Sequence, residues 1–78
     1  MTLNELLEWR ARNRDLIQQF LHQHRELAGI HFMCDEHDRA WIEFAIKPWA
    51  EPEDIEADVA AVFSEVEWQI IVAEPPAE

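Results

Sequence analysis

The first 27 residues place their apolar side chains at the spacing of an amphipathic helix. At 100° per residue the apolar positions occupy one half of the helical cylinder, and they are Leu3, Leu6, Leu7, Trp9, Leu16, Ile17, Phe20, Leu21 and Leu27. Thr2 and Glu5 have the spacing of a capping box. Gly29 permits the turn that leaves a helix. The pattern therefore predicts one long helix over residues 2–27.

The period of the pattern then changes from that of a helix to that of a strand. Residues 29–34 and 39–47 alternate apolar and polar side chains, and the polar residues 35–38 separate them. Two alternating segments joined by a short polar turn predict a β-hairpin. Pro48 ends the second strand, because proline has no N–H to donate to the ladder.

A second helix and a third strand follow the hairpin. Pro52 suits the first turn of a helix, and the buried stripe of that helix is predicted to be Ile55, Val59, Val62 and Phe63. Residues 66–73 alternate again and predict a strand. Two prolines end that strand, so residues 75–78 are expected to fray.

The predicted order of elements is α-β-β-α-β. A strand-helix-strand connection crosses over right-handed, which places the second helix on one face of the sheet. The first helix must bury its own apolar stripe on the same face. The sequence therefore predicts an α+β two-layer sandwich in a single domain of residues 1–78, ordered over about 2–74. Its three-stranded mixed sheet has two helices on one face, like a ferredoxin fold that lacks its first strand.

The face of the sheet opposite the helices is the predicted binding surface. Alternation assigns to it the side chains His31, Met33, Trp41, Glu43, Ala45, Gln69, Ile71 and Ala73. Met33, Trp41 and Ile71 are predicted to form one contiguous apolar patch with Glu43, His31 and Gln69 around it, which is the composition of a protein interface. Two alternatives stay open at this point. The chain's own tail or a loop, such as the one with Trp49, could cover the face, or a register slip of one residue could exchange the two faces.

The net charge of −11 is distributed unevenly along the chain. Residues 1–34 hold four acids and four arginines, whereas residues 35–78 hold thirteen acids against Arg39 and Lys47. Such a field repels nucleic acid and anionic lipid and attracts basic proteins and cations. The composition therefore argues against a nucleic-acid partner, and no stretch approaches the roughly 20 apolar residues of a membrane span.

Cys34 is the single cysteine, so no disulfide can form within one chain. A lone thiol without a secretion signal at Met1 predicts a cytoplasmic location. A domain of 78 residues has a thin core and often depends on a metal or on a partner subunit for stability. The expected state is therefore a homodimer or a complex with another protein, for which the acidic charge favours a basic partner.

One segment concentrates side chains that can bind metal ions. Cys34, Asp35, His37 and Asp38 supply a thiol, an imidazole and carboxylates within five residues, and these groups suit a divalent cation such as zinc or manganese. The spacing matches no standard zinc signature. The alternative interpretation is a solvated hairpin turn.

The sequence favours a non-catalytic protein over an enzyme. Gly29 is the single glycine, so a phosphate-binding glycine-rich loop is absent from the sequence. No histidine is close in sequence to Ser64, and Cys34 and His37 have no oxyanion motif beside them. A two-layer domain of this size also has little room for a sequestered site.

Four short motifs resemble the cytosolic C-terminal domain of cation diffusion facilitator transporters, over roughly residues 14–75. They are the strand entry at residues 27–31, the strand centre at 42–44, the acidic helix start at 51–55 and the closing segment at 71–75. The resemblance implies a domain that dimerises and binds divalent metal ions.

The sequence departs from that family in its potential metal ligands and in its extent. Ala45 and Val72 occupy positions at which the family often has histidine, and His31 is retained. The transmembrane half of the family is not in this sequence. The resemblance therefore implies the fold and a regulatory role, and it does not imply transport.

Two functional hypotheses follow from the sequence. The first is a stand-alone module that dimerises through the open sheet face and responds to a divalent cation. The second is an acidic inhibitor or immunity-type protein that caps a basic surface of a nuclease or another nucleic-acid-binding protein. The second hypothesis requires a set of acids to lie on one contiguous surface, and these are Asp35, Glu36, Asp38, Glu51, Glu53, Asp54 and Glu56.

Overall fold

The computed structural model describes residues 1–73. Its elements in chain order are α1 (Leu3–Arg12), α2 (Arg14–Gln23), β1 (Leu27–Cys34), β2 (Ala40–Ile46), α3 (Glu53–Val62) and β3 (Trp68–Val72). The predicted α+β sandwich is confirmed, with a three-stranded mixed sheet and the helices packed on one of its faces. The predicted fraying of residues 75–78 lies outside the described residues.

The prediction of one continuous helix over residues 2–27 is wrong in two places. The helix is interrupted at Asn13, where φ is −123° and the side-chain Nδ2 donates to the Trp9 carbonyl oxygen at 2.7 Å. Asparagine disrupts helices because its amide competes for nearby backbone groups in this way. The second segment ends at Gln23, and the exit turn is closed by the Leu27 N–H donating to the His24 carbonyl at 3.1 Å.

The sheet has the strand order β1-β2-β3. Strand β1 pairs with β2 antiparallel, and β3 pairs with β2 parallel. Gly29, which was expected in the turn after the helix, lies inside β1 beside a register shift between Leu27 and Gly29. The central strand β2 is therefore paired on both sides. Each outer strand has one edge that pairs with no other named strand of residues 1–73.

The two faces of the sheet are those that the alternation predicted. Ala40, Ile42, Phe44 and Ile46 of β2 have no exposed surface and belong to the core beneath the helices. Four side chains of the outer strands pack against the same core: Ile30, Phe32, Trp68 and Ile70. Val72 differs from the prediction, because it is 52% exposed. The alternative of a one-residue register slip is thereby excluded.

Aromatic rings join the helices to the sheet. Phe20 of α2, Phe44 of β2 and Phe63 after α3 contact one another edge-on, with ring centroids 4.9 to 5.9 Å apart. Trp9 of α1 packs on Phe63 at 5.6 Å. Edge-on contacts of this kind stabilise by about 0.5–1.5 kcal/mol beyond the burial of the rings. One aromatic cluster thus connects every helix to the central strand.

The N-terminus is attached to the hairpin. The capping box predicted from Thr2 and Glu5 is present, with the Glu5 N–H donating to Thr2 Oγ1 at 3.2 Å and the Thr2 N–H donating to Glu5 Oε1 at 2.9 Å. These hydrogen bonds to Thr2 lower the pKa of Glu5. The Ala40 N–H donates to the Met1 carbonyl at 2.8 Å, which ties the chain start to β2.

His24 connects the end of α2 to α3 through hydrogen bonds at both ring nitrogens. Nδ1 lies 2.9 Å from the Phe20 carbonyl oxygen and Nε2 lies 3.1 Å from Asp58 Oδ2. Burial lowers the pKa of His24, but the bonds to Phe20 and Asp58 outweigh burial and raise the pKa above 6.5. Both neighbours are acceptors, and only the doubly protonated imidazolium can donate to both at once.

The His24 pair predicts a pH-dependent contribution to stability. Because the folded-state pKa of His24 is raised, the contribution is complete below pH 6.5 and is lost as the pH rises through that folded-state pKa. Asp58→Asn should lower the free energy of unfolding by less than about 1 kcal/mol at pH 5.5, since the carboxylate is largely exposed, and by almost nothing at pH 9. Urea denaturation at both pH values measures this difference.

The matched control is Glu56→Gln, which removes one charge from the exposed side of the same helix and leaves His24 intact. Its effect should be the same at both pH values. Equal losses for Asp58→Asn at pH 5.5 and pH 9 would contradict the assigned pair.

Candidate functional site

The open face of the sheet consists of three rows of side chains that run across the strands. Cross-strand partners define each row, because residues paired in register point to the same side. The Trp41 row is Met33 and Trp41, the Glu43 row is His31, Glu43 and Gln69, and the Ala45 row is Gly29, Ala45 and Ile71. All helices of the described chain pack on the opposite face.

The prediction of one contiguous apolar patch is wrong. Met33 is directly opposite Trp41, as predicted, but Ile71 is opposite Ala45. Ala45 is four positions after Trp41 on β2, which is about 13 Å along a strand. The polar side chains of the Glu43 row lie between them. The face is therefore apolar at each end and polar across its middle.

Side chains of the face are exposed to different degrees. Met33 is 36% exposed, Trp41 and Ile71 are half-buried, and Ala45 is buried. Trp49 is 63% exposed, so its ring is not buried as a cover for the face. Met33 in the Trp41 row is therefore the most exposed large apolar side chain of the three rows.

Trp41 carries an unusual feature of the face. Its indole Nε1 is buried and has no hydrogen-bond partner among residues 1–73. A buried donor without an acceptor costs about 1–3 kcal/mol. The ring also lines a shallow cavity of about 350 Å³, together with Asp35, Arg39, Glu67, Trp68 and Gln69. A tryptophan beside a polar-rimmed depression is the kind of anchor that protein interfaces use.

The middle of the face carries a negative charge. Gln69 Nε2 donates to Glu43 Oε1 at 2.7 Å, which orients the carboxylate and leaves it further acceptor capacity. His31 is exposed, and its imidazole lies over Gly29, where an added Cβ would come within 3.0 Å of Nε2. No lysine, arginine or histidine nitrogen within residues 1–73 lies within 4.0 Å of Glu43.

Two of the four residues predicted as metal ligands, Asp35 and Asp38, hydrogen-bond to backbone groups at the hairpin turn and at the start of α1. Asp35 Oδ1 accepts from the N–H groups of His37 at 2.8 Å and Arg39 at 3.0 Å. Asp38 has a left-handed φ of 61°, which aspartate tolerates better than most residues, and its Oδ1 accepts from the Leu3 N–H at 3.3 Å. The carboxylates thus hold backbone groups in place.

The predicted metal site is not assembled. Cys34 is exposed, and within the described part of the chain no three histidine, cysteine, aspartate or glutamate side chains come together in a group that could hold a metal ion. Cation binding at the turn stays a prediction. The open face, which contains His31, is the remaining candidate site.

The acids of the second hypothesis form two groups at opposite ends of β2. Asp35, Glu36 and Asp38 lie in the hairpin turn before β2, whereas the acids of residues 51–56 follow the other end of β2. Seven residues of extended strand separate the two groups by about 20 Å. A single acidic cap made of both groups would have to span the length of β2.

Sequence reasoning missed Arg39 and Glu67, which line the cavity beside Trp41. The signal for Glu67 is its position just before β3, since the parallel crossover brings the start of β3 next to the start of β2. Arg39 belongs to the hairpin turn, whose conformation depends on Asp35.

The chain matches no model of a known protein family, no curated protein and no solved structure. Among residues 1–73, none of the helices has the length and apolar character that crossing a bilayer requires. The resemblance to the transporter domain stays a prediction.

The unpartnered indole predicts how two tryptophan substitutions differ. Trp41→Phe removes the buried donor together with part of the ring, so the two effects offset and the free energy of unfolding should stay within about 1 kcal/mol of the wild type. Trp9→Phe removes ring area from the core with no such compensation. Chemical denaturation of both variants should show the larger loss for Trp9→Phe, and a larger loss for Trp41→Phe would contradict the environment described for Nε1.

Proposed function

We propose that this chain is a non-catalytic binding module that binds a basic protein on the open face of its sheet. The observation that carries the proposal is the layout of that face. The half-buried Trp41 and the exposed Met33 form an apolar row beside a central carboxylate, Glu43, and no element of residues 1–73 covers them.

The Trp41 row supplies the apolar anchor of the proposed contact. Tryptophan and methionine are enriched at protein interfaces because they bury a large apolar area with adaptable shape. The cavity of about 350 Å³ beside Trp41 has room for one side chain of a partner. Its lining contains the carboxylates of Asp35 and Glu67 and the guanidinium of Arg39, and the Met1 ammonium lies 3.6 Å from Glu67 Oε1. Asp35 is therefore the carboxylate available to a lysine or arginine at that position.

The position of Glu43 favours a different protein over a second copy as the occupant of the face. Glu43 lies at the middle of the central strand, so a two-fold packing centred on β2 brings two Glu43 carboxylates together. Burying two like charges in an interface is costly unless each has a cationic or donor group opposite it. A partner with a lysine or arginine opposite Glu43 satisfies this requirement directly, whereas a second copy brings a second carboxylate.

The charge of the whole chain supports the same class of partner. A net charge of −11 accelerates the encounter with a basic protein and repels nucleic acid. The proposal thus combines the binding face of the first hypothesis with the basic partner of the second. It requires no metal ion at the hairpin turn.

Two tryptophan variants test the face. Trp41→Glu places a charge in the Trp41 row, and Trp49→Glu makes the same substitution at an exposed tryptophan outside the three rows. With the purified variants immobilised and incubated with an extract of the cells that make the protein, the wild type and Trp49→Glu should retain the same basic partner. Trp41→Glu should retain at least tenfold less, because the anchor is lost.

Two charge variants and the salt dependence complete that test. Glu43→Gln and Glu56→Gln change the net charge equally, but only Glu43→Gln should weaken the complex. Binding should also weaken as sodium chloride is raised, because salt screens the attraction. Equal capture by Trp41→Glu and by the wild type, with both proteins folded by circular dichroism, would exclude the open face as the binding surface.

A further inference from the structure

The hydrogen bonds between β2 and β3 show which backbone groups of β3 point toward β2 and which point outward. The Ile42 N–H donates to the Glu67 carbonyl at 2.9 Å, and the Ala73 N–H donates to the Ile46 carbonyl at 2.7 Å. In a parallel ladder the residues of one strand alternate between pointing their N–H and C=O groups toward the partner strand and away from it. The odd-numbered residues from 67 to 73 therefore point their backbone groups toward β2.

The even-numbered residues Trp68, Ile70 and Val72 point their backbone groups away from β2. Strand β3 is the last strand of the sheet, so these three N–H and three C=O groups face outward. Within residues 1–73 no hydrogen bond satisfies any of them. A row of unpaired groups on a strand edge is a template for pairing with another strand.

The β3 edge lacks the features that protect exposed edges in other proteins. Charged residues, proline and bulges are the usual protection, and the segment Trp-Gln-Ile-Ile-Val of β3 has no charge, no proline and an uninterrupted register with β2. The β1 edge differs. It carries a register shift at its start, and the Arg10 guanidinium stands 5.0 Å from the centre of the Phe32 ring.

We infer that β3 pairs antiparallel with β3 of a second copy of this chain, about a two-fold axis that passes beside Ile70. In this register Ile70 faces Ile70 of the second copy, and Trp68 faces Val72 at both ends. Each of these is a hydrogen-bonded pair, since all three residues point their backbone groups outward. The three N–H and three C=O groups of each copy are then satisfied by six hydrogen bonds, with none left over.

The side chains of this register are also compatible. Val72, which is 52% exposed, is covered on the helix side by Trp68 of the second copy. On the open face, Gln69 is opposite Ile71. Glu67 is opposite Ala73, so the carboxylates nearest to the axis do not face each other. Two chains that each have a net charge of −11 can therefore approach along β3, because the strand itself has no charged residue.

The paired copies form one sheet of six strands. A two-fold axis perpendicular to the sheet leaves both helical layers on one side and both open faces on the other. The two faces then adjoin as a single surface with two Trp41 rows. This inference does not depend on the partner proposed for the open face.

Sedimentation of two Val72 variants tests the pairing. Val72→Pro removes an outward N–H and places a ring at the edge, but it leaves the Ala73 bond to β2 in place. Val72→Thr keeps the N–H and the branched shape. The wild type and Val72→Thr should be dimers, and Val72→Pro should raise the dimer dissociation constant at least tenfold.

Trp41→Glu separates edge pairing from pairing through the open face. The substitution should leave the dimer intact, because Trp41 lies on β2 and is not part of the β3 edge. A monomeric wild type, or a dimer that Val72→Pro leaves unchanged, overturns the inference. Dissociation of the dimer by Trp41→Glu also overturns it and identifies the open face as the contact between copies.

Disulfide trapping tests the register. In a Cys34→Ser background, Ile70→Cys places two thiols across the axis with Cα atoms about 5.5 Å apart, within the range that a disulfide spans. Gln69→Cys places its thiol opposite Ile71 and serves as the control. Mild oxidation should give a covalent dimer for Ile70→Cys alone. Equal cross-linking of both variants, or of neither, contradicts the register.

Discussion

Phe44 is the residue on which the arrangement of the other elements depends. Its ring, at the middle of the central strand, contacts Phe20 of α2, Phe63 after α3 and Trp68 of β3. Because side chains of a strand alternate between its faces, fixing Phe44 toward the helices fixes its two neighbours toward the open face. The same aromatic packing that holds the layers together therefore holds Glu43 outward and sets the polarity of the candidate binding surface.

The sequence predicts the two layers and the two faces of the sheet. It does not predict which residues are neighbours across strands or where the first helix is interrupted. Alternation assigned Phe44 to the core and Trp41 to the open face, because a buried face constrains a strand along its whole length. Alternation does not specify which residues become neighbours across strands, so Ile71 was placed beside Trp41 when the register places it beside Ala45. The break at Asn13 was missed for a related reason, since one side-chain bond to Trp9 outweighs the periodicity of a long apolar stripe.

Local hydrogen bonding also explains why the acidic turn differs from the predicted cluster of metal ligands. In sequence, Asp35 and Asp38 are two carboxylates beside a thiol and an imidazole. In the folded chain, each accepts backbone N–H groups from the turn or from the start of α1. The same residue types suit a metal site and a hairpin turn, and the backbone geometry distinguishes them. Composition alone therefore does not distinguish a metal site from a hairpin turn, and the surfaces proposed to bind partners lie on β2 and β3.

The attachment of residues 1–3 to the hairpin has a consequence for how the fold opens. The Leu3 N–H and the Asp38 carboxylate are separated by 35 positions, whereas the hairpin itself closes over a few residues. Loop-closure entropy opposes the longer contact more strongly, so we expect the hairpin to form before α1 docks. In unfolding, we expect α1 to detach first. Its detachment would expose Leu6 and Trp9 while the three strands stay paired, so the core would open locally without loss of the sheet.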